Sequence, residues 1–208
     1  MINRKGHLIV LEGPDGSGKS TQIKKLDEYL KKEKIKYIMT REPGGTKLGE
    51  KVREIILHEP MSKEAEVYLY AACRAELVEK KIKPALEEGL LVISDRFLFS
   101  SLAYQGSGRE VGIERVFEIN KLAFGDILPD LTIFLDLSPA KAIERKKEQK
   151  KLDRLEEESI SFHNRVYDGY NEAIKLFPER VVSIDAELSE DAIFHKIIGA
   201  LKNLEVIR

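Results

Sequence analysis

A chain of 208 residues with a single cysteine, Cys73, cannot close an intramolecular disulfide. Its four histidines, His7, His58, His163 and His195, are scattered without the close spacing of a structural zinc site. Tryptophan is absent, and no apolar run approaches the roughly 20 residues that span a bilayer, so no membrane partner is expected. Residues 1–6 lead into the first apolar stretch without the apolar segment of a signal peptide, and a cytoplasmic protein is expected. Charge of one sign is also lacking, because 35 Lys and Arg nearly cancel 36 Asp and Glu. No general field attracts a polyanion, so nucleic acid is not an expected partner and any positive charge must act locally. Neither an internal repeat nor a linker divides the chain, which implies one domain over 1–208.

The 42% hydrophobic content suffices for a core, and one stretch organises the rest. Gly13-Pro14-Asp15-Gly16-Ser17-Gly18-Lys19-Ser20 places two glycines around four residues and then Lys and Ser, the pattern of a phosphate-cradling loop. Without Cβ atoms at the glycines, successive N–H groups can converge on an anion. Lys19, expected to be exposed, can reach the β- and γ-phosphates, and the Ser20 hydroxyl can join Mg²⁺. The context fits. Leu8-Ile9-Val10-Leu11 reads as a strand buried on both faces, and from Ser20 through Thr21 onward Ile23, Leu26, Tyr29 and Leu30 make a helical stripe.

Strand and helix signals then alternate. Lys36-Tyr37-Ile38-Met39-Thr40 reads as a strand ending in the turn-rich Arg41-Glu42-Pro43-Gly44-Gly45-Thr46, followed by helices over 48–57 and 63–88. Arg74 interrupts the apolar stripe of the second helix, so its guanidinium needs either a ligand or an internal acceptor. Leu90-Leu91-Val92-Ile93-Ser94 is a buried strand whose end, Asp95-Arg96, falls where a parallel sheet carries its ligands. Asp95 there can hold Mg²⁺ through water, and Arg96 can grip a phosphate. Ser100, Ser101, Tyr104 and Gln105 share one helical face, either solvated or reading a planar polar ligand. Gly106-Ser107-Gly108-Arg109 is expected to break that helix. A helix over 113–124, a strand at Leu131-Thr132-Ile133-Phe134-Leu135-Asp136 and a helix opened by Ser138-Pro139 follow. That helix runs into a basic segment over about 144–156, which is either a solvated face or a mobile lid over phosphates. A helix over 157–176, a strand at Val181-Val182-Ser183-Ile184 and a helix over 189–204 close the chain. The alternation implies a three-layer α/β domain with a five-stranded, largely parallel sheet.

A phosphate loop alone does not separate ATPases, GTPases and kinases. Asn120-Lys121-Leu122-Ala123 imitates the start of a guanine-reading element but has Ala where the carboxylate belongs, which disfavours a GTPase. Arg41, Arg74, Arg96 and Arg109 lie in segments able to converge at the carboxyl edge of the sheet, as phosphoryl transfer to a second, anionic substrate requires.

Residues 13–21, the Arg41-Glu42-Pro43-Gly44-Gly45-Thr46 turn, Tyr70-Ala71-Ala72-Cys73-Arg74, Asp95-Arg96-Phe97, Ser100-Ser101-Leu102-Ala103-Tyr104-Gln105-Gly106 and Leu152-Asp153-Arg154 together resemble the thymidylate kinase family over nearly the whole chain. The resemblance implies a phosphate-loop kinase that converts dTMP to dTDP with ATP and Mg²⁺, in a homodimer with a short basic lid. Another nucleoside monophosphate kinase or a deoxynucleoside kinase is the alternative. By the same resemblance Glu42 and Pro43 line the dTMP site, Tyr70 packs on thymine, and Arg74, Ser100, Ser101 and Gln105 address its polar edge. Arg96 binds the dTMP phosphate, Tyr104 sits against the sugar where a 2′-hydroxyl would project, Asp15 lies near that sugar or its phosphate, and Arg145 packs on adenine. In the lid Gln149 stands where some relatives carry arginine. Lys147, Lys150, Lys151 and above all Arg154 are then the candidates to compensate the transferring phosphoryl group.

Overall fold

The computed structural model describes residues 5–146 and 154–207, the side chain of Lys146 excepted. The elements run β1 (His7–Glu12), α1 (Lys19–Lys32), β2 (Tyr37–Arg41), α2 (Lys47–His58), α3 (Lys63–Leu77), α4 (Lys83–Glu87), β3 (Leu91–Asp95), α5 (Leu98–Ser101), α6 (Ile113–Phe124), β4 (Leu131–Asp136), α7 (Pro139–Lys146), α8 (Ile160–Leu176), β5 (Val181–Asp185) and α9 (Glu190–Asn203). The five strands are all parallel in the order β2-β3-β1-β4-β5.

Strict alternation within β1 explains the three layers. Leu8 and Val10 face one side with Val92 and Phe134, under α3, α6 and α8. Ile9 and Leu11 face the other with Ile93 and Ile133, against Leu26 and Leu30 of α1 and Ile193, Ile197 and Leu201 of α9. β1 sits between β3 and β4, so the phosphate loop leaves the sheet where the strand order reverses, which is where open α/β sheets bind ligands.

Two expectations change at the helices. The span 63–88 is not one α-helix: α3 passes through a π-helical stretch, Val78–Ile82, before α4, whose first turn carries Pro84. Proline lacks the N–H that an α-helical ladder needs, and the wider turn ahead of it absorbs the mismatch. The Gly106-Ser107-Gly108 stretch does not break its helix either, since α5 continues as a π-helix over Leu102–Gly108. Those glycines serve close packing. A Cβ on Gly108 would lie 2.8 Å from side-chain atoms of Phe162 and Val166 on α8, and one on Gly169 of α8 would lie 2.7 Å from Ser107.

Candidate active site

The loop after β1 takes its shape from its glycines. Gly13 (φ 144°) could not carry a side chain, because a Cβ would lie 2.6 Å from the Leu135 carbonyl oxygen, whereas a Cβ on Gly18 (φ 92°) would stand in open space at the start of α1. That opening, ahead of the unpaired N–H groups of a fourteen-residue helix, is an anion cradle. Lys19 is not exposed as expected: only 7% of it is accessible, and its Nζ donates to the Gly13 and Pro14 carbonyls at 2.9 and 3.0 Å. Burial, helped by the charge of Arg96, lowers its pKa from 10.5 to about 8.

β3 delivers Asp95 and Arg96 to the same edge. Arg96 has φ 68°, a left-handed backbone that a bulky side chain adopts only when its surroundings impose it. Its backbone N–H donates to the Leu11 carbonyl, and Ser94 Oγ donates to its own carbonyl. The guanidinium is thereby aimed at the phosphate loop, where Nη1 donates to the Gly13 carbonyl, Ser100 Oγ and Tyr170 Oη at 2.9–3.1 Å and Nη2 pairs with Asp15. Tyr104 donates to the other Asp15 oxygen at 2.9 Å, and the Arg96 guanidinium lies over its ring. Burial first, and then the Asp15 carboxylate, push the Tyr104 phenol well above its usual range and keep it a neutral donor.

Two clefts meet here. One is lined by Asp15, Glu42, Pro43, Arg53, Leu57, Tyr70, Arg96, Ser100, Tyr104, Gln105 and Leu155. The other, a polar cavity of about 500 Å³, is lined by Asp15, Gly16, Gly18, Lys19, Ser20, Thr21, Arg41, Glu42, Arg53, Asp95, Arg96, Arg145 and Glu156. Asp15, Glu42, Arg53 and Arg96 belong to both, so an occupant of the first cleft would abut an occupant of the phosphate cavity. Arg145 reaches over that cavity to the Ala186 and Gly16 carbonyls, at 2.8 and 3.3 Å.

Three arginines are placed otherwise than the sequence suggests, and a fourth, Arg41, stays where it was expected. Arg74 is fully buried and donates to Glu42, Asn120, the Phe97 carbonyl and Ser101. Neither it nor Ser101 is among the residues lining the cleft, and the link runs through Glu42, whose carboxyl burial pushes up to about 7 against the attraction of Arg74. Arg109 does not converge on the edge but pairs with the buried Glu66 and with Glu158, over the Phe162 ring. Arg154 turns the same way, donating to Glu66 at 2.8 Å and to the Ile56 carbonyl at 3.0–3.1 Å, because a carboxylate buried on α3 draws the cations within reach. Arg41 stays at the phosphate cavity but is paired with Glu50 at 2.7 Å. The lid candidates Lys147, Lys150 and Lys151 lie outside the described residues, as do Gln149 and Asp153. Asn120, the false start of a guanine element, is a core residue that receives Arg74 and donates to the Val116 carbonyl.

Sequence reasoning missed three residues. Arg53 of α2 enters both clefts with Nη1 on the Pro43 carbonyl, next to a helical stripe that already signalled burial. Glu12, 1% exposed, accepts the N–H groups of Phe97 and Ser100 and so ties the start of the loop to α5. Tyr170 comes from α8 to Arg96 and the Gly13 carbonyl, a contact with no local signal in the sequence.

A phosphate loop at the switch point of a parallel sheet, opening on a second cleft across an arginine, defines a phosphate-loop kinase. The chain belongs to the thymidylate kinase family, whose model, described as "Thymidylate kinase", matches residues 11–197. It is 47% identical over 204 residues to the thymidylate kinase of Lactobacillus helveticus, covering 95% of this chain and 96% of the relative. It is 48% identical over 200 residues to that of a Thermoanaerobacter species, covering 95% and 98%. To that of an Exiguobacterium species it is 44% identical over 196 residues, covering 93% and 92%.

Proposed function

We propose that this chain transfers the γ-phosphoryl group of ATP to dTMP, giving dTDP and ADP. The observation that carries the reading is the meeting of the phosphate cradle with the second cleft at Arg96, and family membership supports it. ATP phosphates would occupy the loop from Gly13 to Thr21, with Arg145 against the adenine. A thymine-bearing monophosphate would enter between Tyr70, Pro43 and Gln105, its sugar near Tyr104 and Asp15 and its phosphate at Arg96. An oxygen of that phosphate attacks the γ-phosphorus. The new P–O bond forms as the bond to the bridging β,γ-oxygen breaks, and ADP leaves with the electron pair. The nucleophile is already an anion, so the chain needs no strong base. Its work is to align two phosphates and offset their charge with Lys19, Arg96 and the neighbouring Arg41 and Arg53.

The residues also suit Mg²⁺. Asp95 Oδ1 is buried with no hydrogen-bond partner among the described residues, and it lines the phosphate cavity together with the Ser20 hydroxyl. One carboxylate and one hydroxyl beside phosphates is a fitting donor set for a small hard cation that keeps several waters. Bound there, Mg²⁺ would supply charge neutralisation on the donor phosphates. A cytoplasmic setting, where ATP is plentiful, goes with this reading.

A homodimer is part of the proposal, supported by exposed Leu48 and Ile55 on α2, Tyr68 on α3 and Leu122 on α6, three helices packed in series. Tyr68→Glu should then turn a sedimenting dimer into a monomer, and a monomeric wild type would refute that part. The activity itself is tested by ADP release over a panel of nucleosides and nucleoside monophosphates. Release dependent on dTMP is expected, whereas preference for an unphosphorylated nucleoside, or acceptor-independent release, would overturn the assignment.

A further inference from the structure

Glu66 takes no part in the transfer step, yet it is fully buried on α3 against the acceptor cleft. Its Oε1 accepts from Gln105 Nε2 at 2.9 Å and its Oε2 from Arg154 Nη2 at 2.8 Å, with Arg109 Nε 3.3–3.4 Å from both oxygens. A carboxylate facing two guanidinium groups offers only acceptors, so the Gln105 atom turned toward it is the amide nitrogen. That contact fixes one of the two orientations of the amide. Gln105 lines the cleft, and its Oε1 is buried without a hydrogen-bond partner among the described residues. A buried acceptor in this condition is satisfied when a ligand brings a donor.

We infer that Glu66 is a positioning residue that sets the class of base accepted. By holding Gln105 Nε2 it keeps Gln105 Oε1 as the acceptor for a ring N–H of the acceptor nucleotide. The inference rests on the proposed reading of this cleft as the monophosphate site. A thymine-type imide carries an N–H between two carbonyls, whereas a cytosine-type ring carries a lone pair at the corresponding nitrogen, which would oppose the Gln105 oxygen. A site built to pair a polar group rejects the analogue that cannot pair it far more strongly than an apolar pocket rejects a change of size. Arg109 and Arg154 complete the arrangement by fixing the Glu66 carboxylate from its other sides, and Arg109 is itself held by Glu158 and the Phe162 ring.

The test compares dTMP with dCMP as acceptors at saturating ATP, and varies ATP at saturating dTMP, in wild type, Glu66→Gln, Gln105→Leu and the double variant. A glutamine at 66 keeps the shape but offers both a donor and an acceptor, which frees the Gln105 amide to turn. The dTMP over dCMP ratio of kcat/KM should fall about tenfold or more in Glu66→Gln, mainly through KM for dTMP, with KM for ATP unchanged. In the Gln105→Leu background the same substitution should move the ratio no further. Equal losses for both acceptors, or the same shift of ratio without the Gln105 amide, would mean that Glu66 only supports the fold and would overturn the inference. If Glu66→Gln does not fold, Glu66→Asp withdraws the carboxylate by one methylene and should lower the ratio several-fold, and an unchanged ratio again overturns it. Absence of dTMP turnover in wild type would instead remove the functional reading beneath it.

Discussion

Replacing Lys19 with methionine separates the cost of this residue to the fold from its use in the reaction. A lysine whose pKa falls from 10.5 in the unfolded chain to about 8 in the folded protein carries a penalty of roughly 3 kcal/mol for its buried charge. The sign follows from proton counts. Below about pH 8 both states hold the proton and the penalty is constant. Between 8 and 10.5 the folded state has released it while the unfolded chain keeps it, so unfolding takes up a proton and stability rises with pH. Cys73 works the other way, since burial raises its thiol from 9.0 to about 11 and stability is lost as pH climbs through that range. Urea unfolding of wild type and Lys19→Met from pH 7 to 10.5 cancels the cysteine and leaves the lysine. The difference between them should change in favour of wild type by up to roughly 3 kcal/mol across the window. At neutral pH the variant should be as stable as wild type or more so, with native circular dichroism, yet have kcat lowered by about 10²-fold or more. A difference that stays flat with pH would refute the buried, anion-awaiting lysine, and an active variant would refute its part in phosphoryl transfer.

Tyr104→Ala should narrow the preference for dTMP over ribothymidine monophosphate in steady-state kinetics while costing about 3 kcal/mol in urea, because the ring also packs edge-on against Phe162 and Tyr170. Equal loss for both substrates would reduce it to packing. Arg154→Ala should lower stability by about 2 kcal/mol, by leaving Glu66 short of one cation, and should hold kcat within a few-fold. A hundredfold fall in kcat at unchanged stability would return Arg154 to the phosphoryl group. Asp95→Asn should raise the Mg²⁺ concentration for half-maximal activity about tenfold in a metal titration, and an unshifted midpoint would take Asp95 out of the metal site.

What could be read from the chain alone follows from how local each signal is. The strands β1, β3 and β4 are short apolar runs that must be buried on both faces, and their order with helices between them leaves a parallel sheet as the economical arrangement. The phosphate loop is equally local, since its glycines, lysine and hydroxyl lie within eight residues and act through their own backbone. Asp95 closes β3 and Arg96 follows it, so their place on the ligand edge required nothing beyond the direction of that strand.

The arginines were not legible in this way, because a guanidinium at the end of a long flexible stem goes where its counter-charge is. Arg74 and Arg109 interrupt or flank helical stripes just as ligand-binding arginines do. Their destinations depend on Glu42 and Glu66, which stand 32 and 43 residues away in the chain. Glu66 itself reads as one more acid in the first turn of α3, a position with an ordinary electrostatic explanation at a helix start. Only the packing of α3 against the π-helical Leu102–Gly108 and against Arg154 turns it into a buried acceptor for Gln105, Arg109 and Arg154. A carboxylate placed there cannot be left without donors, so each of these side chains is committed before any ligand arrives. Arg96 differs because its partners are a carbonyl, two hydroxyls and the partly exposed Asp15 carboxylate at the junction of the clefts. An incoming phosphate can compete for that guanidinium, whereas competing for Arg74 or Arg109 would take a cation away from a buried carboxylate. On the proposed reading, the strength of each arginine's internal pairing, rather than its position in the sequence, is what leaves Arg96 as the one to meet the acceptor phosphate.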